Sequence, residues 1–394
     1  MGEQIRAVVK PELLVWARTS ARYGVHVAAK KAGVSAERLT EWESGGSAPT
    51  INQLRTLANI YKRPLAVFFL PEPPREFDAM RDFRRLPGAA NAEYTPELTL
   101  AIRRARFRRE IAVELAEELE LEVPRLHFDP RPFAGDGNRL ADAARKLLNV
   151  TLNEQLHWRD KYEALNAWSA AVERVGVLVF QTSGVSMGEM RGFSIHESVY
   201  PVIVANAQDS PRGRVFTILH EFAHLLMHSG GLCDTYETRN ADSDEQRMEV
   251  LCNHVAGAML VPESALLDAI QAMASAIKKG GIAETELTIL AQRFAVSQEV
   301  ILRRLLTLGR LSLDFYRRKR DELHKAYERG REQEEGFAQQ HQVIVRDLGK
   351  QYIRVVLGAY HQEAITSSDV SDYLGTRLKH LPKIEKAVFS GVMP

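Results

Sequence analysis

The spacing of apolar and polar positions predicts helices over most of the chain and short strands near its middle. Apolar residues recur every three or four positions in most segments, as on one face of an amphipathic helix. Between residues 176 and 205 the pattern changes to short apolar runs bounded by glycine and proline, which predicts strands at 176–181, 192–195 and 200–205. The chain is therefore predicted to be mainly α with a small β-sheet, an α+β fold.

Breaks in this pattern divide the chain into four predicted regions. The proline-rich residues 71–74 end a first region of five short helices, 1–71. A linker and charged helix are predicted at 72–137, and a central domain at 138–325 contains the strands. Residues 326–394 form a helical C-terminal appendix, to which the sequence assigns no role. One amphipathic helix is predicted to contain 103–109 and to run on to Leu121, and two more are predicted at 139–148 and 153–174.

The first region contains a predicted pair of helices joined by a tight turn. In Ala32-Gly33-Val34-Ser35, the glycine ends one helix and the serine caps the next, while Thr50 is expected to cap a helix at 51–61. This segment resembles the XRE/Cro helix-turn-helix group, including its closing residues 63–69. The resemblance implies that the second helix enters the major groove of DNA. The candidate contact residues on that helix are Ser35, Ala36, Glu37, Arg38 and Thr40.

Local charge leaves two interpretations of this region open. Residues 1–71 contain ten Lys and Arg against five Asp and Glu, a net charge of +5 that favours a polyanion. The presumed reading helix, however, carries Glu37, Glu41 and Glu43 against a single Arg38, and phosphates repel carboxylates. The module is therefore expected either to bind DNA or to dock a protein and regulate the chain itself.

The strongest chemical signal is His220-Glu221-Phe222-Ala223-His224, the His-Glu-x-x-His pattern of zinc peptidases. Residues four apart lie on one helix face, so both imidazoles can bind one ion at ~2.0–2.1 Å. Glu221 can then take a proton from a water that the ion activates and pass it to the leaving amine. The surrounding apolar residues would bury all three side chains, which is costly without a metal.

A third ligand is expected, because catalytic zinc usually has three protein ligands. His228 lies ~12 Å along the helix from His220, too far to share an ion. Glu249 is the better candidate, since it lies on the small, apolar face of a predicted second helix. Glu245 is the alternative on the preceding turn, followed by Asp242 and Asp244.

These two helices together resemble the ImmA/IrrE metallopeptidases. Residues 220–228 are similar to the family pattern HELxHxxLH, and residues 249–262 are similar to ExxANxFAAxLLMP, with Cys252 and Val255 among the departures, in place of alanine and phenylalanine. Residues 191–194, 200–206 and 214–219 also match what the family carries before its active helix. The resemblance covers roughly 165–310 and implies His220, His224 and Glu249 as ligands and Glu221 as general base. Known substrates of the family are helix-turn-helix repressors.

Several neighbouring features are expected to support this site. An exposed edge of the small sheet could add an extended peptide as a further strand. Arg191 and Arg214 are expected to pair with acids, and Tyr200 to lie in the core. A second helix-turn-helix shape at 287–308 is expected to support the catalytic helices.

Composition indicates the class of protein and its cellular compartment. An apolar content of 45% and a charged content of 26% are ordinary for a soluble globular protein, and a net charge of +1 argues against polyanion binding by the whole chain. Two cysteines are too few for a disulfide framework. No signal peptide and no apolar run of ~18–20 residues is apparent. We therefore expect a cytoplasmic protein without membrane contact.

The sequence thus predicts a zinc endopeptidase fused to a helix-turn-helix module and acting on a regulatory protein such as a repressor, in a stress or mobile-element response. Manganese or iron could replace zinc in a His2Glu site. The alternative is a non-proteolytic DNA-binding regulator or antitoxin-type protein, with a toxin partner and a sensory or relic metal site. Self-cleavage near residues 71–85 would combine both, and a homodimer is compatible with either.

Overall fold

The computed structural model describes residues 6–61, 63, 65–74, 94–133, 135–227, 231–233, 244–273, 277–278, 281–331 and 339–389. Contacts group the chain into two compact units: Met1–Asp82 with Asn91–Arg104, and Phe83–Ala90 with Ala105–Pro394. The second unit thus includes helices from both the predicted central domain and the predicted appendix. The predicted boundaries at 71, 137 and 325 remain predictions, and the proposed self-cleavage segment lies mostly outside the described residues.

The first unit is built from helices α1 (Pro11–Ser20), α2 (Val25–Ala32), α3 (Ala36–Glu43) and α4 (Ile51–Tyr61). Gly33 adopts φ +70° and ends α2, and the Ser35 side chain accepts the Arg38 N–H at 3.2 Å to begin α3. Thr50 caps α4 as predicted. The predicted fifth helix is a 3₁₀ turn, Leu65–Phe69, which buries Phe68 against the core that contains Trp42.

Helix α5 (Pro96–Glu118) belongs to both units, with the division after Arg104. The sequence predicted a helix that contains Arg103–Arg109, which is confirmed, and that runs on to Leu121, whereas the helix ends at Glu118. Pro96 fits the first turn of a helix, and Thr95 accepts the Leu98 N–H at 3.3 Å. A threonine cap followed by proline is therefore the signal that sets this boundary.

The predicted single helix at 153–174 is wrong. The chain forms α6 (Gly137–Leu148), then α7 (Leu152–Leu156) and α8 (Lys161–Arg174). The Asp160 carboxylate accepts the backbone N–H groups of Tyr162 and Glu163 at 2.7 and 2.9 Å. These bonds satisfy the free donors of a new helix start, so the helix begins again although the apolar spacing continues.

The sheet contains β1 (Leu178–Thr182), β2 (Gly192–Ile195), β3 (Val202–Asn206) and β4 (Gly231–Cys233) in the order β1-β3-β2-β4. Strand β1 is parallel to β3, and β2 is antiparallel to both β3 and β4. The three predicted strands are confirmed to within two residues. The outer edge of β2 is paired with β4, so a peptide cannot add there while this pairing persists.

The central helix of the second unit is α9 (Pro211–Leu226), which packs against α8, β2, β3 and α10 (Asp244–Leu260). Ser210 caps it by accepting the Gly213 N–H at 3.0 Å, and Pro211 occupies its first position. From Thr217 to Leu226 every residue of α9 is buried. The helix that carries the His-Glu-x-x-His pattern is therefore the core of the unit.

Further helices and a two-stranded ribbon surround this core. They are α11 (Glu263–Ala272), β5 (Ile277–Lys278), β6 (Gly281–Ile282), α12 (Glu284–Arg293), α13 (Gln298–Thr307), α14 (Leu313–Arg331), α15 (Gln340–Leu348), α16 (Lys350–His361), α17 (Ser367–Tyr373) and α18 (Leu381–Phe389). Helix α13 buries Val300, Ile301, Leu302 and Leu305. It also packs on α10, so it supports the core, as predicted.

The C-terminal helices are attached to the sheet. Helix α15 packs on β1, and α16 packs on α8. Glu173 at the end of α8 accepts the Gln351 N–H at 3.2 Å and thereby caps α16. Within the described chain no single helix has the length and apolarity to cross a membrane, although the bent pair Gln246–Leu260 and Glu263–Ala272 passes by length and composition.

Candidate metal centre

Three side chains from two helices converge in the second unit. His220 Nε2 and His224 Nε2 are 3.2 Å apart, because residues four apart share a face of α9. Glu249 on α10 places one carboxylate oxygen 3.3 Å from His220 Nε2 and the other 3.2 Å from His224 Nε2. Of the described His, Cys, Asp and Glu residues, these three form the group whose donor atoms lie within 4.8 Å of one another.

The donor set fits a small divalent cation. Ligands at ~2.0–2.1 Å from a tetrahedral ion are about 3.3 Å apart, which is the separation that these atoms have. His220 and His224 are 0% and 4% exposed, whereas the Glu249 side chain is 19% exposed. Two buried imidazoles facing a carboxylate are costly without a shared partner. The more open side at Glu249 leaves room for a further ligand.

The protonation states suit a cation. Burial lowers the pKa of His220, and the positive charge of Arg303 acts in the same direction. Burial acts to raise the pKa of Glu249, but the hydrogen bonds to His220 and His224 outweigh it and hold that pKa well below its usual value. A neutral imidazole and an ionised carboxylate are the forms that bind metals.

His224 differs from His220 in its surroundings. Burial acts to lower the pKa of His224, but hydrogen bonds to Cys252 and Glu249 and the charge of Glu221 raise it well above its usual value. A cation bound by His224 must therefore displace a proton from it. Cys252, which replaces the alanine of the family pattern, is buried, and its thiol acts together with Glu249 to raise the pKa of His224.

Glu221 lies beside the cluster and is 1% exposed. Gly192 on β2 faces it: a Cβ on Gly192 would lie 3.4 Å from Glu221 Oε1 and 2.9 Å from the Val204 carbonyl oxygen, and would overlap the Thr217 side chain. Only glycine lets β2 approach this part of α9. Sequence reasoning noted the motif 191–194 but missed this role, which the packing of two separate elements creates.

The structure also shows the surroundings of the other residues that the sequence singled out near this site. Arg191 is paired with an acid as predicted, since its Nη1 lies 3.7 Å from Asp209 Oδ2, and Tyr200 is buried in the core. Arg214 donates to the Gln181 side-chain oxygen at 2.5 Å, and its charge also acts to lower the pKa of Asp209. His228 and Asp242 lie outside the described residues, as do the side chains of Asp244 and Glu245.

The candidate DNA-contact residues all lie on or next to α3 in the first unit. Ser35, Glu37, Arg38 and Thr40 are exposed and Ala36 is half-buried. Ser35 caps the helix, Thr40 donates to the Ala36 carbonyl at 2.9 Å, and Arg38 pairs with Glu41 at 2.7 Å. The face is accessible, but its single arginine is already paired with an acid.

Comparison with known proteins defines the class of both units. Residues 172–306 match the family model described as "IrrE N-terminal-like domain", and residues 26–68 match the one described as "Helix-turn-helix". Two segments of the chain are thus similar to an IrrE-like metallopeptidase domain and to an XRE-type helix-turn-helix domain, as the sequence motifs predict. Such a domain implies a divalent metal cofactor.

One relative is the radiation response metalloprotease IrrE of Deinococcus deserti. It is 30% identical over 119 residues, which represent 28% of this chain and 42% of the relative. The match therefore spans less than half of that relative's length. It supports the metalloprotease class for the central segment of this chain.

Proposed function

We propose that the chain is a zinc-dependent endopeptidase that cleaves a regulatory protein, such as a transcriptional repressor, in a stress or mobile-element response. The observation that carries the proposal is the convergence of three donor atoms beside a buried glutamate. His220, His224 and Glu249 would hold the ion, and Glu221 would act as general base. Manganese or iron could serve in place of zinc, since all three metals accept imidazole or carboxylate ligands.

When bound, the ion would supply a Lewis acid that polarises the scissile carbonyl and activates a water. Glu221 would take the proton of that water and deliver it to the leaving amine. Its burial against β2 fixes the carboxylate in one place and strengthens its electrostatic interactions. Gly192 makes that position available, because any larger residue would occupy the space of Thr217.

The test uses the full chain loaded with zinc. Wild type, Glu221→Gln and the control Glu122→Gln, an exposed position in the same unit, are incubated with a proteome extract, and new protein N-termini are counted by mass spectrometry. We expect new N-termini with wild type and Glu122→Gln and none with Glu221→Gln, although all three bind one metal. Cleavage by Glu221→Gln at the wild-type rate would contradict the mechanism.

A second candidate function is supported by the first unit. The exposed face of α3 and the net charge of +5 over residues 1–71 favour DNA contact. In that case the chain would act as a DNA-binding regulator or antitoxin-type protein with a toxin partner, and the metal site would serve as a sensor. This function would be favoured over proteolysis by two results together. Wild type and Glu221→Gln would repress a promoter equally, and wild type would cleave no protein.

A further inference from the structure

A positively charged surface lies next to the metal cluster along α9. Phe216 is one turn before His220, and the two rings are stacked with centroids 6.2 Å apart. Phe216 is half-buried, so part of its side chain remains accessible. Arg303 on α13 places its guanidinium carbon 6.0 Å from the centre of the Phe216 ring.

Arg212, one turn before Phe216, extends this surface. Residues 212, 216 and 220 are each four apart, so they share one face of α9. Arg212 is half-buried, and its buried Nε has no hydrogen-bond partner within the described residues. It also lies in the first turn of the helix, where the dipole favours anions and disfavours cations. A negatively charged group bound at this position would therefore stabilise the half-buried arginine.

Among the described residues, Arg303 has a weak ion-pair partner. Its Nη2 lies 3.6 Å from Glu299 Oε1, four residues earlier on the same helix, and the Arg303 side chain remains 18% exposed. Ion pairs of this kind contribute little, because the side chains are ordered at an entropic cost and screened by solvent. A carboxylate from another molecule could therefore replace Glu299 at Arg303.

We propose that Arg212, Phe216 and Arg303 form a subsite that binds acidic side chains of the substrate next to the scissile bond. This inference rests on the proposed function and adds the chemistry of the substrate to it. The guanidinium groups would bind carboxylates by charge-assisted hydrogen bonds, and the Phe216 ring would contact the methylene groups of a glutamate.

The spacing defines which substrate residues are involved. An extended peptide advances ~3.3 Å per residue. Phe216 lies about 6 Å from His220, and Arg212 lies ~12 Å away along the helix axis. The subsite would thus select acidic residues about two to four positions from the scissile bond, on one side of it.

The experiment profiles cleavage of a peptide library made by digesting a proteome with chymotrypsin, which leaves internal acidic and basic residues, using zinc-loaded full chain. The variants are Arg212→Glu, Arg303→Glu and both together, with Arg212→Gln and Arg303→Gln in case charge reversal impairs folding. Arg293→Glu, at an exposed position on α12, is the matched control. Metal content and thermal unfolding of every variant are measured in parallel.

We expect wild type and Arg293→Glu to prefer Asp or Glu at one of these positions. Each reversal should lower kcat/KM for such peptides about tenfold or more, mainly through KM, and the double variant should prefer Lys or Arg. Raising the salt concentration should increase KM for wild type more than for the double variant.

The two failures are distinguishable. An unchanged cleavage preference in Arg212→Glu/Arg303→Glu, with metal retained, would overturn the subsite and leave the peptidase function standing. A zinc-loaded wild type that cleaves neither the library nor any protein in the extract would overturn the proposed function, and the subsite with it.

Discussion

Helices α9 and α3 both carry the polar residues that suggest a function, but they place them in opposite surroundings. On α9, His220, Glu221 and His224 are at most 4% exposed, and a third donor arrives from α10. On α3, Glu37, Arg38 and Thr40 are exposed, while Leu39 and Trp42 hold the helix in the core.

This difference determines how far each functional inference can go. Buried ionisable groups are expensive, so their convergence at a common point requires an explanation such as a metal. Exposed charges cost little and are found on any soluble surface. The structure therefore strengthens the inference for α9 more than it strengthens the inference for α3.

The largest effect is expected from Gly192→Ala, which perturbs α9 through β2. The added Cβ would overlap Thr217 and approach the Val204 carbonyl oxygen to 2.9 Å, and it would press on Glu221. Overpacking of this kind costs roughly 1–3 kcal/mol of stability, and displacing the base should lower kcat about 100-fold. Timed cleavage assays would measure kcat, and unfolding by denaturant would measure the loss of stability.

The ligands are not touched by that change, so metal content should stay at the wild-type level. A Gly192→Ala chain with wild-type kcat would contradict the close approach of β2 to Glu221. Ser194→Ala, two residues further along the same strand, is the control for a general effect on β2.

The next effect concerns a buried group of the second unit that is not a ligand. Burial raises the pKa of Glu173 to about 7, although the backbone N–H of Gln351 acts to lower it. As the pH rises, the carboxyl group of Glu173 therefore loses its proton at a lower pH in the unfolded chain than in the folded chain. The free energy of unfolding falls as the pH rises from about 4.5 to 7. Relative to Glu173→Gln, wild type should lose at most about 3 kcal/mol over this range.

Chemical denaturation of both chains at several pH values measures this difference. Groups that the two chains share cancel in the comparison, so the remaining pH dependence belongs to position 173. A constant difference between pH 5 and 8 would show that Glu173 does not hold its proton in the folded state.

The smallest effect on stability is expected on α3. Arg38→Ala removes an exposed ion pair with Glu41 and should change the free energy of unfolding by less than about 0.5 kcal/mol. If the helix contacts phosphate, the same change should weaken DNA binding and make it less sensitive to salt. Electrophoretic mobility shifts across a salt series would measure this, and unchanged affinity would favour protein docking by the module.

Local rules predicted much of the fold and the site. Gly33, Ser35 and Thr50 ended or began helices where the sequence predicts, because caps depend on a few adjacent residues. The spacing of His220 and His224 and the helical face of Glu249 likewise follow from one helical period. These features need no knowledge of distant parts of the chain.

Features that depend on distant segments were missed. The pairing of β4 with β2, the close approach of Gly192 to Glu221 and the burial of Arg212 Nε without a hydrogen bond among the described residues arise only when separate elements pack together. The restart of the helix at Asp160 was missed for another reason, since the apolar spacing hid a strong capping residue. A search for acidic caps inside long predicted helices would have found it.

The central claim is that His220, His224 and Glu249 hold one metal ion, and elemental analysis of purified chains tests it most directly. Wild type is compared with His224→Ala and Glu249→Ala, and His254→Ala is the control because His254 lies on α10 but contacts Asn138 at 3.0 Å. We predict about one metal per chain in wild type and the control, and none in the two ligand variants. No metal in wild type after zinc is supplied, or equal metal in all four chains, would contradict the account.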